Sequence, residues 1–155
     1  MMPNNPWLVV ASISGLLAVG AGAYGAHGLT TEDSFQDAFK AGGQYHMWHS
    51  LALLAVALFT EQRRNTRAAN WGHLAGGLFL AGIVLFSGTM YSLGISGELL
   101  VPGAAPVGGV ALMAGWAALA FAATRKDQAS TVSVLLLPGN NHPANSSAGS
   151  GLLNK

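Results

Sequence analysis

Four long apolar runs constrain this chain more than any other feature of its sequence. None of them contains Asp, Glu, Lys or Arg, and they cover residues 7–26, 45–60, 71–95 and 107–123. A membrane-spanning helix needs about 20 mainly apolar residues, whereas a strand of a membrane barrel needs about ten that alternate strictly. The runs do not alternate. They predict an all-α integral membrane protein, a four-helix bundle with its transmembrane domain at 1–127.

The amino-acid composition also indicates that lipid, and not water, surrounds most of the chain. Only 8% of the 155 residues are charged and the mean hydropathy is +0.41, whereas a soluble domain usually carries about 25% charged residues. There is no cysteine, which excludes disulfides and thiolate chemistry. No basic cluster has the density of a nucleic-acid footprint. The expected partner is therefore the lipid bilayer, and no nucleic acid is expected.

The first run also has some features of a signal peptide, because Ala21-Gly22-Ala23 fits a small-x-small cleavage site. Residues 1–6 contain no Lys or Arg, however, and the run is longer than the usual apolar core of a signal peptide. We therefore expect it to be retained as a span.

Loop charges predict the orientation. Arg63, Arg64 and Arg67 lie between the second and third runs, and Arg125 and Lys126 follow the fourth. The loop before the second run, predicted at 28–44, has a single Lys. The positive-inside rule then places the N and C termini in the cytoplasm.

Glycines within the runs predict close helix packing, because lipid gives helices no hydrophobic drive to associate and small residues let their backbones approach. The same glycines suit contacts within one bundle or with another subunit. The predicted packing glycines are Gly15, Gly22, Gly25, Gly72, Gly76, Gly88, Gly108, Gly109 and Gly115.

Three histidines are the candidate site residues. His27 ends the first run, and His46 and His49 open the second, on one helical face. We expect all three at one depth on the non-cytoplasmic side, where they could bind a metal or relay protons. The alternative is structural, with the rings bonded to backbone carbonyls at helix ends.

Enzymatic chemistry is not expected. No acidic or basic residue lies inside a run, and neither a phosphate-binding GxxxxGK[ST] loop nor a GxGxxG motif in a βαβ unit is present. The sequence therefore predicts a protein without a catalytic site and without a cofactor.

Several segments together resemble the YgdD-like family of small inner-membrane proteins of uncharacterised function. The matching segments are Tyr24–Leu29, Gln44–Leu54, Phe86–Tyr91, Pro106–Gly109 and Gly115-Trp116. The resemblance covers about Ser12 to Thr124 and implies a four-helix membrane fold without an established activity. His27, His46 and His49 fall on its motif positions. The tail after Lys126 departs from the family pattern.

The polar tail, residues 128–155, completes the functional hypothesis. It is too poor in apolar residues to fold alone in water, so we expect it to dock on another subunit at the cytoplasmic side or to fold back on its own bundle. The leading hypothesis is a non-catalytic accessory subunit of a larger membrane complex. The alternatives are a metal- or proton-handling protein that uses the histidines, and an oligomeric transporter of small molecules.

Overall fold

The computed structural model describes residues 5–125. The predicted tail at 128–155 lies outside these residues. Within them the chain is all helical and has no strand, as predicted. The helices are α1 (Pro6–His27), α2 (Asp33–Gln62), α3 (Arg67–Gly82), α4 (Gly88–Ser96) and α5 (Ala104–Thr124), and a single π-helical turn (Ile83–Ser87) joins α3 to α4.

Several helix ends are capped by residue types that are typical of those positions. The Asn5 side chain accepts a hydrogen bond from the Leu8 amide, and Pro6 follows at the first helical position, where its missing N–H costs nothing. The Thr66 side chain caps α3 by accepting from the Ala69 amide. Gly97 ends α4 with a φ of 72°, a conformation that glycine adopts without strain.

Three of the helical segments are long and apolar enough to cross a membrane: Pro6–His27, Arg67–Ser96 and Ala104–Thr124. Many of their large apolar side chains face outwards, among them Leu16 with 71% of its surface exposed, Met113 with 66% and Val84 with 64%. A surface of this kind would aggregate in water but matches the hydrocarbon of a bilayer.

Helix α2 is the central element and differs from its prediction. It begins at Asp33, so most of the loop predicted at 28–44 is helical. The extra turns form because Phe39 is buried between Gly25 of α1 and Gly94 of α4. α2 packs on α1 and on the α3–α4 segment, whereas α5 packs mainly on α3 and the π turn. Since its neighbours cover much of it, α2 needs less apolar surface than they do.

The predicted packing glycines fall into two groups. A Cβ at Gly25, Gly72, Gly76, Gly108 or Gly115 would press on a neighbouring side chain or backbone, so these positions need glycine for close approach. Gly109 has only Phe86 nearby, at 4.0 Å from an added Cβ, and Gly15, Gly22 and Gly88 have nothing within 4 Å. The sequence could not separate the groups, because it does not show which side of each helix has a neighbour.

The charged residues that the structure describes collect at the two ends of the molecule. The Arg63 guanidinium donates to the carbonyl of Arg125 at 3.2 Å, and the Asn5 side-chain amide donates to Glu61 at 3.4 Å. The start of α1, the α2–α3 turn and the end of α5 therefore lie at one end. Glu32, Asp37 and Lys40 are exposed near the start of α2, at the other.

Candidate functional site

A buried polar network crosses from α1 through α2 to α4. The Ser14 hydroxyl lies 3.1 Å from His46 Nε2 and 2.7 Å from the Ser50 hydroxyl, and His46 Nδ1 lies 3.0 Å from the Tyr91 hydroxyl. Ser14, His46 and Ser50 are buried. Polar groups within a membrane protein usually face its interior and are often functional, so this network is the candidate site.

The direction of each hydrogen bond in the network follows from its fixed end. Ser50 donates to the carbonyl of His46 at 2.8 Å, since a carbonyl can only accept. Ser50 has then used its one proton, so Ser14 donates to Ser50 and His46 Nε2–H donates to Ser14. A neutral imidazole has one N–H. His46 Nδ1 is therefore the acceptor, and the Tyr91 O–H donates to it.

His49 has the opposite tautomer. Its Nδ1 lies 2.7 Å from the carbonyl of Tyr45 and must donate to it, while Trp116 Nε1–H of α5 donates to its Nε2 at 3.2 Å. The ring packs on Phe79 with centroids 5.6 Å apart. Both nitrogens of His49 are thus engaged, and the ring ties α2 to α5. This carbonyl bond matches the structural alternative expected from the sequence, although it lies inside the helix and not at its end.

His27 does not join the other two histidines. It is exposed at the end of α1, thirteen residues from Ser14, the α1 residue that contacts His46. At 1.5 Å per residue this separation is about 20 Å along the helix. His46 and His49 therefore lie near the middle of the molecule and not at its surface, because α2 begins three turns earlier than predicted. Among residues 5–125 no three His, Cys, Asp or Glu side chains are grouped to hold a metal ion.

His73 makes a separate contact. It is exposed near the start of α3, where its Nδ1 accepts from Trp7 Nε1–H at 2.7 Å. This bond ties the start of α1 to α3 and gives His73 a structural role at that end of the molecule.

A cavity of about 460 Å³ opens between α1 and the α3–α4 segment, beside the network. Ser14, His46, Ser87 and Tyr91 provide its polar lining, Gly88 adds a stretch of backbone, and none of the described lining residues carries a full charge. The other lining side chains are aliphatic: Val10, Ile13, Leu17, Leu80, Ile83 and Val84. The size and the mainly apolar lining with a few polar groups are typical of small-molecule sites.

Ser87 is the unusual member of this lining. It is 1% exposed, and its hydroxyl has no hydrogen-bond partner within the described part of the chain. Thr89, by contrast, donates to the carbonyl of Leu85 at 2.6 Å, as expected of a helical hydroxyl. An unpaired buried hydroxyl costs about 1–3 kcal/mol.

Ser87 also ends the π-helical turn, where the Gly88 amide bonds to the carbonyl of Ile83. A π turn inside an α-helix is rare and is frequently found at functional sites. The unpaired, fully buried hydroxyl and the irregular backbone therefore coincide at Ser87, beside the cavity.

Sequence reasoning found His46 and His49 but missed the residues that complete their surroundings. Ser50 directly follows the histidine pair, and Ser14 interrupts the first apolar run, so both were visible as polar residues in a predicted span. Nothing local connects them with Tyr91 or Trp116, which lie 45 and 67 residues from their histidine partners.

Comparison with known proteins identifies the family. Residues 21–109 match the model of the family described as "Protein of unknown function (DUF423)". The UPF0382 membrane protein YwdK of Bacillus subtilis is 37% identical over 121 residues, 77% of this chain and 96% of the relative. The UPF0382 inner membrane protein YgdD of Escherichia coli is 35% identical over 126 residues, 80% of this chain and 93% of the relative.

A UPF0382 membrane protein of Haemophilus influenzae is 33% identical over 120 residues, 76% of this chain and 93% of the relative. No solved structure matches the chain. The names of the relatives and the three apolar helices confirm the predicted integral membrane location, which is the inner membrane in the name of the Escherichia coli protein. As its resemblance to YgdD-like proteins indicated, this chain belongs to the DUF423 family of membrane proteins.

Proposed function

We propose that this chain is a non-catalytic membrane protein that binds a small, mainly apolar molecule in the cavity between α1 and the α3–α4 segment. The observation that carries the proposal is the size of the cavity together with its aliphatic walls and its few uncharged polar residues. An apolar occupant fills this space and covers the aliphatic side chains that line it.

The proposed membrane arrangement is a four-helix bundle in which α2 is the fourth span. At 30 residues α2 is about 45 Å long, which exceeds the hydrocarbon thickness of about 30 Å. Its first turns, with Glu32 and Asp37 nearby, then lie beyond the hydrocarbon. Arg63, Arg64 and Arg67 at its other end support cytoplasmic N and C termini.

In this arrangement the cavity faces lipid near the middle of the bilayer. Ile13, Leu17 and Val84 of its rim are more than half exposed, so the opening is apolar. A ligand dissolved in the membrane can enter from the side without crossing a charged surface. This favours a lipid-like ligand over a water-soluble metabolite.

The hydrogen-bond directions favour binding over proton transfer. The chain from Tyr91 through His46 and Ser14 ends at Ser50, which donates to a backbone carbonyl. A carbonyl oxygen accepts this bond but holds no proton to pass on. Both imidazoles are also fully bonded, so a metal ion could bind only by displacing these partners.

The test is to fill the cavity. Gly88 lines it, and an added Cβ meets nothing within 4 Å, so Gly88→Leu places a side chain in the space without a backbone clash. Gly77→Leu is the matched control, because Gly77 is a helical glycine with equally open surroundings that does not line the cavity.

The full-length chain and both variants are purified from their own membranes in mild detergent, and the bound small molecules are identified by mass spectrometry. We expect one class of molecule with the parent chain and with Gly77→Leu, and its loss with Gly88→Leu. Equal retention by all three proteins, or no enriched molecule with any of them, would overturn the proposal.

A second candidate is the accessory subunit of a larger membrane complex. The observation that favours it is three glycines of α1, Gly15, Gly20 and Gly22, which leave space that no part of the described chain fills. Small residues of this kind let a helix of another protein approach closely. The tail at 128–155 is the other proposed contact with such a partner.

This candidate is tested by isolating complexes from native membranes with the full-length chain, with Gly20→Leu, and with a version that ends at Asp127. Partner subunits that co-purify with the full-length chain and are lost in either variant would support it. Recovery of the chain alone in every case would exclude it.

A further inference from the structure

A second cavity of about 570 Å³ lies between the last turns of α1 and the first half of α2. It shares no lining residue with the cavity described above. Small residues of α1 leave this space open, and an added Cβ at Gly22 would meet nothing within 4 Å. The α1–α2 groove, as we call it, has four small residues of α1 in its lining: Ala18, Gly22, Gly25 and Ala26.

The lining of the α1–α2 groove changes from polar to apolar along its length. Lys40 and Gln44, one turn apart on α2, are exposed at the end nearest the start of that helix. Met47 and Trp48 follow one turn further along, and α1 contributes only Ala, Gly and Val. In the proposed membrane arrangement Lys40 lies close to the membrane surface, so the groove is polar at its outer end and apolar within the hydrocarbon.

The length of the groove matches one acyl chain of a membrane lipid. At 1.5 Å per residue, α2 rises about 12 Å from Lys40 to Trp48, and α1 covers the same distance from Ala26 back to Ala18. One leaflet makes up half of the hydrocarbon thickness, or about 15 Å. An acyl chain can therefore lie in the groove through most of one leaflet while its head group stays at Lys40.

The charges at the polar end specify the head group. Lys40 Nζ lies 3.0 Å from Asp37, and both side chains are more than half exposed. An ammonium group has three N–H donors, and this exposed pair uses one of them at little gain in free energy, so Lys40 can also bind a phosphate. Glu32, Asp33 and Asp37 outnumber Lys40, which is the only Lys or Arg before Arg63. These carboxylates disfavour a net negative head group and favour one that also carries an ammonium group.

We infer that the α1–α2 groove holds one phospholipid with a zwitterionic head group, a phosphate beside a primary ammonium as in phosphatidylethanolamine. The phosphate accepts from Lys40, the ammonium donates to Asp37, and one acyl chain lies along Gly22 towards Trp48. This inference goes beyond the proposed function, because it concerns a different cavity and a different ligand.

The test compares three phospholipids with identical acyl chains: phosphatidylethanolamine, phosphatidylcholine and phosphatidylglycerol. Each is added to the delipidated full-length chain in detergent, and bound lipid is counted by native mass spectrometry. We expect one tightly bound phosphatidylethanolamine per chain. Phosphatidylcholine has no ammonium N–H and phosphatidylglycerol has a net negative charge, so each should bind about tenfold more weakly, the ratio for loss of one good hydrogen bond.

Three variants locate the bound lipid. Gly22→Leu fills the groove and should abolish the tight binding. Gly20→Leu is the matched control, because Gly20 lies two residues away with equally open surroundings and does not line the groove. Lys40→Gln changes an exposed side chain, so it should leave the fold intact and remove the preference for phosphatidylethanolamine.

The opposite results would overturn the inference. Equal binding of the three lipids, or tighter binding of phosphatidylglycerol, would show that the head group is wrong. Equal loss in Gly20→Leu and Gly22→Leu, or loss of a co-purifying protein in place of lipid in Gly22→Leu, would show that the groove is not a lipid site. Gly88→Leu fills the other cavity and should leave the tight binding unchanged, so a failure here does not bear on the proposed function.

Discussion

The hydroxyl of Tyr91 lies 3.0 Å from Nδ1 of His46, where α2 packs on α4. Ser50 donates to a backbone carbonyl, so it accepts from Ser14, and Ser14 in turn accepts from His46 Nε2–H. A neutral imidazole has only one N–H, so Tyr91 must donate to His46 Nδ1. The pair therefore joins a structural network on one side to the cavity on the other.

Loss of the His46 imidazole should destabilise the protein. His46→Ala removes the partners of Ser14 and Tyr91 and leaves an empty volume between α1 and α4. We expect a loss of about 1–3 kcal/mol in the free energy of unfolding, measured in mixed micelles with increasing SDS. His27→Ala is the control and should change stability little, because His27 is exposed. Equal effects of the two substitutions would contradict the described network.

The Trp116 contact with His49 can be tested without loss of the aromatic packing. Trp116→Phe removes the indole N–H that donates to His49 Nε2 and keeps a ring near Phe79. The expected cost is about 0.5–1.5 kcal/mol in the same unfolding measurement. Trp48→Phe serves for comparison, since Trp48 is exposed and only its ring contact with Tyr45 would change. A larger loss at Trp48 than at Trp116 would be evidence against this bond.

Ser87→Ala should stabilise the protein. The substitution removes a buried hydroxyl that has no partner in residues 5–125, and with it a penalty of about 1–3 kcal/mol. The measurement uses protein stripped of bound lipid by extensive detergent exchange. Ser50→Ala should have the opposite effect, because Ser50 bonds to Ser14 and to the His46 carbonyl. Destabilisation by Ser87→Ala would mean that its hydroxyl has a partner.

Alanine substitutions should distinguish the two groups of glycines. An added Cβ at Gly115 would lie 2.6 Å from the Phe79 ring, and one at Gly108 would meet the backbone of Phe86, so both changes should destabilise the protein. Gly15→Ala and Gly20→Ala meet nothing and should gain about 0.5–1 kcal/mol from the better helix propensity of alanine. Thermal unfolding in detergent measures all four variants. A uniform response would contradict the described packing of α5 on α3.

Single cysteines can test the proposed orientation, because the chain has no cysteine of its own. Ser34→Cys lies in the first turn of α2 and Gln62→Cys at its last residue, and both positions are exposed. We expect a membrane-impermeant maleimide to label Ser34→Cys in intact spheroplasts, and to label Gln62→Cys only after permeabilisation. The reverse pattern would place the termini outside the cytoplasm, and labelling of both positions from outside would show that α2 does not span.

The sequence by itself determined the helical membrane class of this protein. A long uncharged apolar run is stable in lipid only if its backbone groups are hydrogen-bonded, and an α-helix makes these bonds within the run itself. It also indicated His46 and His49 as candidate site residues, although it placed them at the start of the second span. It could not place the start of α2, since the turns from Asp33 are held by burial of Phe39 against Gly25 and Gly94, residues distant in the chain.

Only the tertiary structure decided which polar residues meet. His27 and His46 share a motif pattern but lie about 20 Å apart along the helix axis. Ser14 and Tyr91 are far from His46 in sequence and bond to the two sides of its ring. The reason is physical: helix periodicity is local and can be read along the chain, whereas hydrogen bonds, close glycine contacts and cavities depend on which faces of different helices pack together.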